Sequence, residues 1–113
     1  MPERSDVLEI ERLRKFLLPA LARRGWTDLG DITNAVFVDR LRILFEGAMN
    51  FSYGAADSPD GDSMVIFVAH SRFGDNGKPL RFSGCGQSKI LAFLRAAEEI
   101  ARDDNYREDL LGR

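Results

Sequence analysis

The dipeptide Asn76-Gly77 constrains the fold of this chain more than any other feature, because it separates two runs that are rich in apolar residues. Both residues tolerate a positive φ, which the two central residues of a type I′ turn require. The pattern therefore predicts a β-hairpin. Counting outward from the turn places Arg72 opposite Arg81.

Successive residues of a strand point to opposite faces of a sheet, so the same count separates two faces. It also places Phe82 opposite Ser71. One face is apolar and is predicted to pack on the core: Val65, Phe67, Ala69, Phe73, Leu80 and Phe82. The other face is apolar at one end and polar or cationic at the other: Met64, Ile66, Val68, His70, Arg72, Arg81, Ser83 and Cys85.

The length of 113 residues is close to the commonest domain size, so we predict one domain over residues 1–113. A hydrophobic fraction of 44% and a charged fraction of 30% are typical of a soluble globular protein. The net charge of −2 argues against a protein that binds nucleic acid through its overall charge, although a local basic face is compatible with it.

A single cysteine excludes an intrachain disulfide and a cysteine-based zinc cluster, and it favours the reducing cytoplasm. Residues 1–6 are charged and lack the apolar run of a signal peptide. No apolar run has the length of a membrane span. We therefore expect a cytoplasmic protein that has no membrane partner.

Amphipathic patterns predict a helix at each end of the chain. Ser5 is a suitable N-cap for the first helix, whose apolar stripe extends from Val7 to Leu21. In the second, apolar residues line one side from Ile90 to Ala101, and oppositely charged residues are paired at four-residue spacing on the other.

Residues 33–48 fit two interpretations. Ile43 and Phe45 would share one face of a strand, whereas Phe37 and Leu44 would share one side of a helix. The density of β-branched and aromatic residues favours strands. The predicted fold is therefore α+β in the order α-β-β-β-β-α, with a mainly antiparallel sheet of about four strands and the N- and C-terminal helices packed on one face.

The composition of residues 54–63 indicates a loop, and its three aspartates suggest a calcium site. However, Pro59 occupies a position at which an EF-hand needs a ligand, and no glutamate closes the loop. A solvated loop is the better interpretation.

The segment Gly84–Lys89 combines glycines, a predicted helix N-terminus, a hydroxyl and a lysine, which are the parts of an anion-binding loop. Its spacing matches neither the P-loop nor the G-x-G-x-x-G pattern, and both of those need a βαβ unit rather than a hairpin. We interpret it as a strand-to-helix turn with Ser88 as N-cap, and a weak anion site is the alternative.

Cys85 and His70 share a predicted face, which raises the question of a nucleophile and its base. The register places His70 opposite Ser83 and leaves Cys85 on the diagonal, about 7–8 Å away between backbones and too far for a hydrogen bond. No carboxylate on the hairpin is placed to orient the imidazole. We predict no catalytic residue, no cofactor and no metal site.

The predicted pairing of Arg72 with Arg81 is unusual, because like charges directly across a strand pair destabilise it by ~0.5 kcal/mol. Solvent screening, a salt bridge from another element or a different register would each explain the pair. The functional explanation is that it receives an anionic group. The candidate partner-binding residues are His70, Arg72, Arg81, Ser83, Lys89 and Arg42.

The sequence favours a small binding module over an enzyme. The first hypothesis is a protein-binding module of adaptor, inhibitor or immunity type that uses the cationic sheet face or an edge strand. The alternative is a nucleic-acid binder that adds the aromatic residues Tyr53 and Phe51 to the basic ones. A thiol hydrolase built on Cys85 and His70 comes last, and a homodimer is a further way to cover the apolar end of the second face.

Overall fold

The computed structural model describes residues 4–57, 59 and 61–113. The elements follow in the order α1 (Arg4–Ala22), α2 (Asn34–Glu46), β1 (Phe51–Asp57), β2 (Ser63–Phe73), β3 (Pro79–Gly86), α3 (Lys89–Arg102) and α4 (Arg107–Leu111). Ser5, the predicted N-cap, already lies within α1. The helix also continues through Pro19.

The sheet is an antiparallel meander in which β2 lies between β1 and β3. The predicted α+β class and antiparallel sheet are confirmed. The prediction of about four strands is wrong, because the sheet formed by the described residues has three strands.

The difference comes from residues 33–48, which form helix α2 instead of strands. The Thr33 hydroxyl accepts a hydrogen bond from the N–H of Val36 (3.2 Å) and so caps the helix. Its buried residues recur at spacings of three and four: Phe37, Leu41, Leu44 and Phe45. Burial of this helical stripe outweighs the β propensity of the individual residues.

Strand β1 extends to Asp57 and so includes four residues that the composition assigned to a loop. Pairing explains the difference, since Gly54 lies opposite Ile66 and Ala56 opposite Met64. The connection between β1 and β2 is limited to residues 58–62. Of the residues considered for a calcium site, Asp60 lies outside those that the structure describes.

The turn between β2 and β3 is longer than predicted. The N–H of Gly74 donates to the carbonyl oxygen of Lys78 (2.8 Å), and the N–H of Gly77 donates to that of Gly74 (3.0 Å). Gly77 has a φ of +75°, as predicted, whereas Asn76 is not among the residues of positive φ. Asp75, Asn76 and Gly77 therefore form a three-residue loop that ends in a left-handed residue, not a two-residue type I′ turn.

The register of the hairpin also differs from the prediction. Phe82 lies opposite Phe67 instead of Ser71, because the pairing is irregular between Val68 and Phe73. The shift from residue 71 to residue 67 is even, so the assignment of Phe82 and Phe67 to one face is kept. Beyond the irregularity the prediction is wrong, because Phe73, which was assigned to the face that packs on the core, is 62% exposed.

The helices lie on one side of the sheet. α3 packs on β2 and β3, and α2 reaches β1. α1 packs mainly on α3, which corrects the prediction that both terminal helices lie on the sheet itself. Between these layers the rings of Phe45, Phe67 and Phe93 meet, with centroids 5.2 Å apart for Phe45–Phe67 and for Phe67–Phe93.

Candidate functional site: the open sheet face

The second face of the sheet is an ordered array with residues from all three strands. Strand pairing sets them in three rows across the sheet, and each row has its β2 residue in the middle. The rows are Ser52–Val68–Arg81, Gly54–Ile66–Ser83 and Ala56–Met64–Cys85. We call these nine residues the open face.

The open face carries apolar side chains that remain accessible. Met64, Ile66 and Val68 are half-buried, whereas the flanking residues on β1 and β3 are exposed. The flanking residues on β1 are small (Ser52, Gly54 and Ala56), so the three β2 side chains stand above them as a ridge. The described helices pack on the other side of the sheet.

Three of the predicted partner-binding residues lie on or beside this face. Arg81 and Ser83 belong to it directly. His70 follows Val68 by two positions, and its Nε2 lies 2.8 Å from the Ser52 hydroxyl, so it borders the same end as Arg81. Arg81 forms no ion pair with the residues that the structure describes.

Arg72 does not pair with Arg81, because Arg81 lies opposite Val68. Its guanidinium instead lies over the ring of Tyr106, 5.4 Å from the centroid, and donates to Asn105 Oδ1 (3.4 Å). Burial raises the pKa of the Tyr106 hydroxyl above its ordinary value, and the charge of Arg72 opposes that shift. Arg72 therefore helps to hold the C-terminal segment on the sheet.

Arg42 and Lys89 also lie away from the open face. Arg42 is on α2, where its guanidinium forms ion pairs with Asp39 (2.7 Å) and Glu46 (2.8 Å). The hydrogen bond that Arg42 donates to Asp39 is the main reason that the pKa of Arg42 is raised. Lys89 begins α3 just after the end of β3, at the opposite end of that strand from Arg81.

The segment Gly84–Lys89 has a packing role that explains its glycines. A Cβ on Gly84 would stand 2.3 Å from the carbonyl oxygen of Ala92 and 2.4 Å from the nitrogen of Ala96. The Ser88 hydroxyl accepts from the N–H of Leu91 (3.2 Å), as the prediction of an N-cap requires. The glycines therefore let α3 approach the sheet closely.

Cys85 lies at one end of the open face, and His70 lies beyond the other end. Cys85 is opposite Met64, which is six positions before His70 on β2, and at 3.3 Å per residue this corresponds to about 20 Å. The structure thus separates the thiol from the imidazole by much more than the register predicted from the sequence.

Within the residues that the structure describes, no three or more His, Cys, Asp or Glu side chains are grouped so that they could hold a metal ion. None of the described helices has the length and apolar character needed to cross a bilayer.

The contribution of β1 to this face, namely Ser52, Gly54 and Ala56, was not predicted from the sequence. Their alternation with Tyr53 and Ala55 was a possible signal, but the glycine and alanine content indicated a loop. The complete face offers an apolar ridge, a shallow row of small residues beside it, and a cation at one end. Such a surface is suited to non-covalent docking, because it combines accessible apolar area with one charge that fixes orientation.

Comparisons with models of protein families, with curated proteins and with solved structures find no match to this chain.

Proposed function

We propose that this chain is a small binding module that docks another protein on the open face, in the cytoplasm that its sequence predicts. The observation that carries the proposal is the ridge of Met64, Ile66 and Val68, which is uncovered by the helices of the described residues. Accessible apolar side chains grouped on a sheet face gain free energy when a partner removes them from water.

Arg81 supports a partner of particular chemistry. It is exposed, has no ion-pair partner among the described residues, and shares a row with Val68 at the end of the ridge. A carboxylate on the partner would complete a pair there, while an apolar surface covers the ridge. The proposed partner therefore has an apolar patch with an acidic group at one edge.

The experiment has two stages. Proteins retained by the parent chain are identified, and each purified candidate is then titrated against the parent and the variants Arg81→Glu, Ile66→Glu and Lys15→Glu. Lys15 is an exposed residue of α1 and supplies a matched change of charge away from the sheet. We expect Arg81→Glu and Ile66→Glu each to weaken binding by about tenfold or more, and Lys15→Glu to leave it unchanged.

Unchanged affinity in both open-face variants would remove this face from the interface. The nucleic-acid alternative predicts a different result, in which affinity for a single-stranded oligonucleotide falls steeply with salt. The geometry favours it less, because Phe51 is buried and the ring of Tyr53 packs on Phe67 and Phe93 at the helix side of the sheet. These rings do not join Arg81 on one surface.

A further inference from the structure

The two edges of the sheet differ in how they are protected against pairing with another strand. β3 begins with Pro79 and carries Arg81, and proline and charge are two of the features that protect an edge. β1 has neither proline nor charge from Phe51 to Ala56, and its pairing with β2 is continuous. All its residues from Ser52 to Asp57 are exposed.

The backbone of β1 has hydrogen-bonding groups that point away from the sheet. The N–H of His70 donates to the carbonyl oxygen of Asn50 (3.3 Å), which makes these two residues a hydrogen-bonded pair. Such pairs alternate along an antiparallel ladder, so Ser52, Gly54 and Ala56 are the residues that bond to β2. The N–H and C=O groups of Tyr53 and Ala55 therefore point outward.

We propose that β1 pairs antiparallel with β1 of a second copy of this chain, with Gly54 of each copy on the two-fold axis. This interface is independent of the partner proposed for the open face. The pairing joins two three-stranded sheets into one sheet of six strands. The open faces of the two copies then lie side by side and form one face with twice the area.

The register follows from three properties of the strand. Centring on Gly54 uses all seven residues of β1 and makes Tyr53 and Ala55 of the two copies a hydrogen-bonded pair. It sets the large side chain of Tyr53, which is 38% exposed, against the small side chain of Ala55. It also keeps the two Asp57 carboxylates apart, since each lies opposite Phe51 of the other copy.

A second copy is favoured over an unrelated extended segment because β1 is complementary to itself in this register. Tyr53 meets Ala55 and Ser52 meets Ala56, each large or polar residue facing a small one, and both pairs occur twice by symmetry. A parallel arrangement of two β1 strands would bring the Asp57 carboxylates together, and like charges side by side are destabilising.

The first test is a crosslink that depends on the register. In a Cys85→Ala background, Gly54→Cys places two thiols opposite each other across the axis in a non-hydrogen-bonded pair, where Cα atoms are about 4.5 Å apart and a disulfide fits. Gly54 has no atom within 4 Å of the added Cβ. Ala56→Cys is the matched control, because its thiols would be offset by four residues, about 13 Å.

We expect mild oxidation of the full chain to give a covalent dimer with Gly54→Cys and not with Ala56→Cys. Equal crosslinking of the two variants, or none in either, would overturn the proposed pairing.

The second test is the association state, measured by sedimentation equilibrium. Ala55→Pro removes an outward N–H without removing a bond to β2, so it should weaken dimerisation by at least tenfold while the thermal melt shows a folded protein. Ala55→Lys adds a charge at the same edge and serves if the proline variant does not fold. Ala35→Lys, an exposed position on α2, is the control and should leave the dimer unchanged.

A parent chain that sediments as a monomer at every concentration would overturn the proposal. A dimer that persists in both Ala55 variants would also overturn it, by locating the contact elsewhere. Measuring open-face binding with the Ala55 variants keeps the two proposals separate, since a monomeric variant still has a complete open face.

Discussion

The two faces of β2 carry similar apolar residues in different surroundings. Val65, Phe67 and Ala69 point toward the helices and are 1% exposed or less. Met64, Ile66 and Val68 alternate with them and remain accessible to solvent. The difference shows that alternation fixes which face a residue occupies, whereas burial depends on what the rest of the chain places against that face.

The largest effect should come from comparing two neighbours on β2. Phe67→Ala removes a ring that contacts Phe45 and Phe93, so we expect a loss of about 3–5 kcal/mol in the free energy of unfolding. Ile66→Ala removes a half-exposed side chain and should cost about 1 kcal/mol. Denaturant unfolding of both variants measures the difference, and similar losses would mean that the open face is covered in solution.

A smaller effect is expected where α3 approaches β3. Gly84→Ala places a methyl group against the backbone of Ala92 and Ala96, which can relieve the overlap only by moving the helix or the strand. We expect a loss of about 2–3 kcal/mol in the free energy of unfolding. Ser83→Ala, at the adjacent position on the open face, should change it by less than about 0.5 kcal/mol. A thermal melt in which the two variants agree would contradict the close contact.

The smallest effect concerns the ion pairs that join the helices on the covered side. Arg12 Nη1 donates to Glu98 Oε2 (2.8 Å), and this hydrogen bond holds the pKa of Glu98 below its ordinary value of 4.5 despite partial burial. A lowered folded pKa gives stability that is present above the unfolded pKa and is lost as the pH falls through the folded value.

Glu98→Gln should therefore reduce the free energy of unfolding by about 1 kcal/mol at pH 7, and the gap from the parent should close below about pH 4.5. Glu99→Gln, an exposed neighbour, is the control and should change the free energy of unfolding at pH 7 by less than about 0.5 kcal/mol. Urea titrations across this range check the prediction, which fails if the gap is the same at pH 3 and pH 7.

The sequence predicted the parts of the fold that depend on short-range patterns. Gly77 has the positive φ that its place in a turn required, and Val65, Phe67 and Phe82 lie on the buried face. The turn is longer than predicted, and the register differs because nothing in the alternation indicates the irregularity that follows Val68.

Other parts depend on contacts between distant segments. Residues 33–48 satisfied both a strand and a helix pattern, and packing of Phe37 and Phe45 in the core favours the helix. The pair of Arg72 and Arg81 was inferred from a local count, whereas Arg72 meets Tyr106 from the C-terminal segment. Of the candidate binding residues, His70, Arg81 and Ser83 lie on or beside one face of the sheet, because they are nearest the regularly paired part of the hairpin.

The meander of β1, β2 and β3 also bears on how the chain folds. Each strand pairs with a neighbour in sequence, so the sheet forms by closing short loops, which favours rapid assembly. α1 and the turn after it are different, because the ion pairs of Arg12 with Glu98 and of Arg24 with Asp109 join residues that are 86 and 85 positions apart. Closing so long a loop costs more chain entropy. We therefore expect the sheet and α3 to form a folding unit on which α1 docks late.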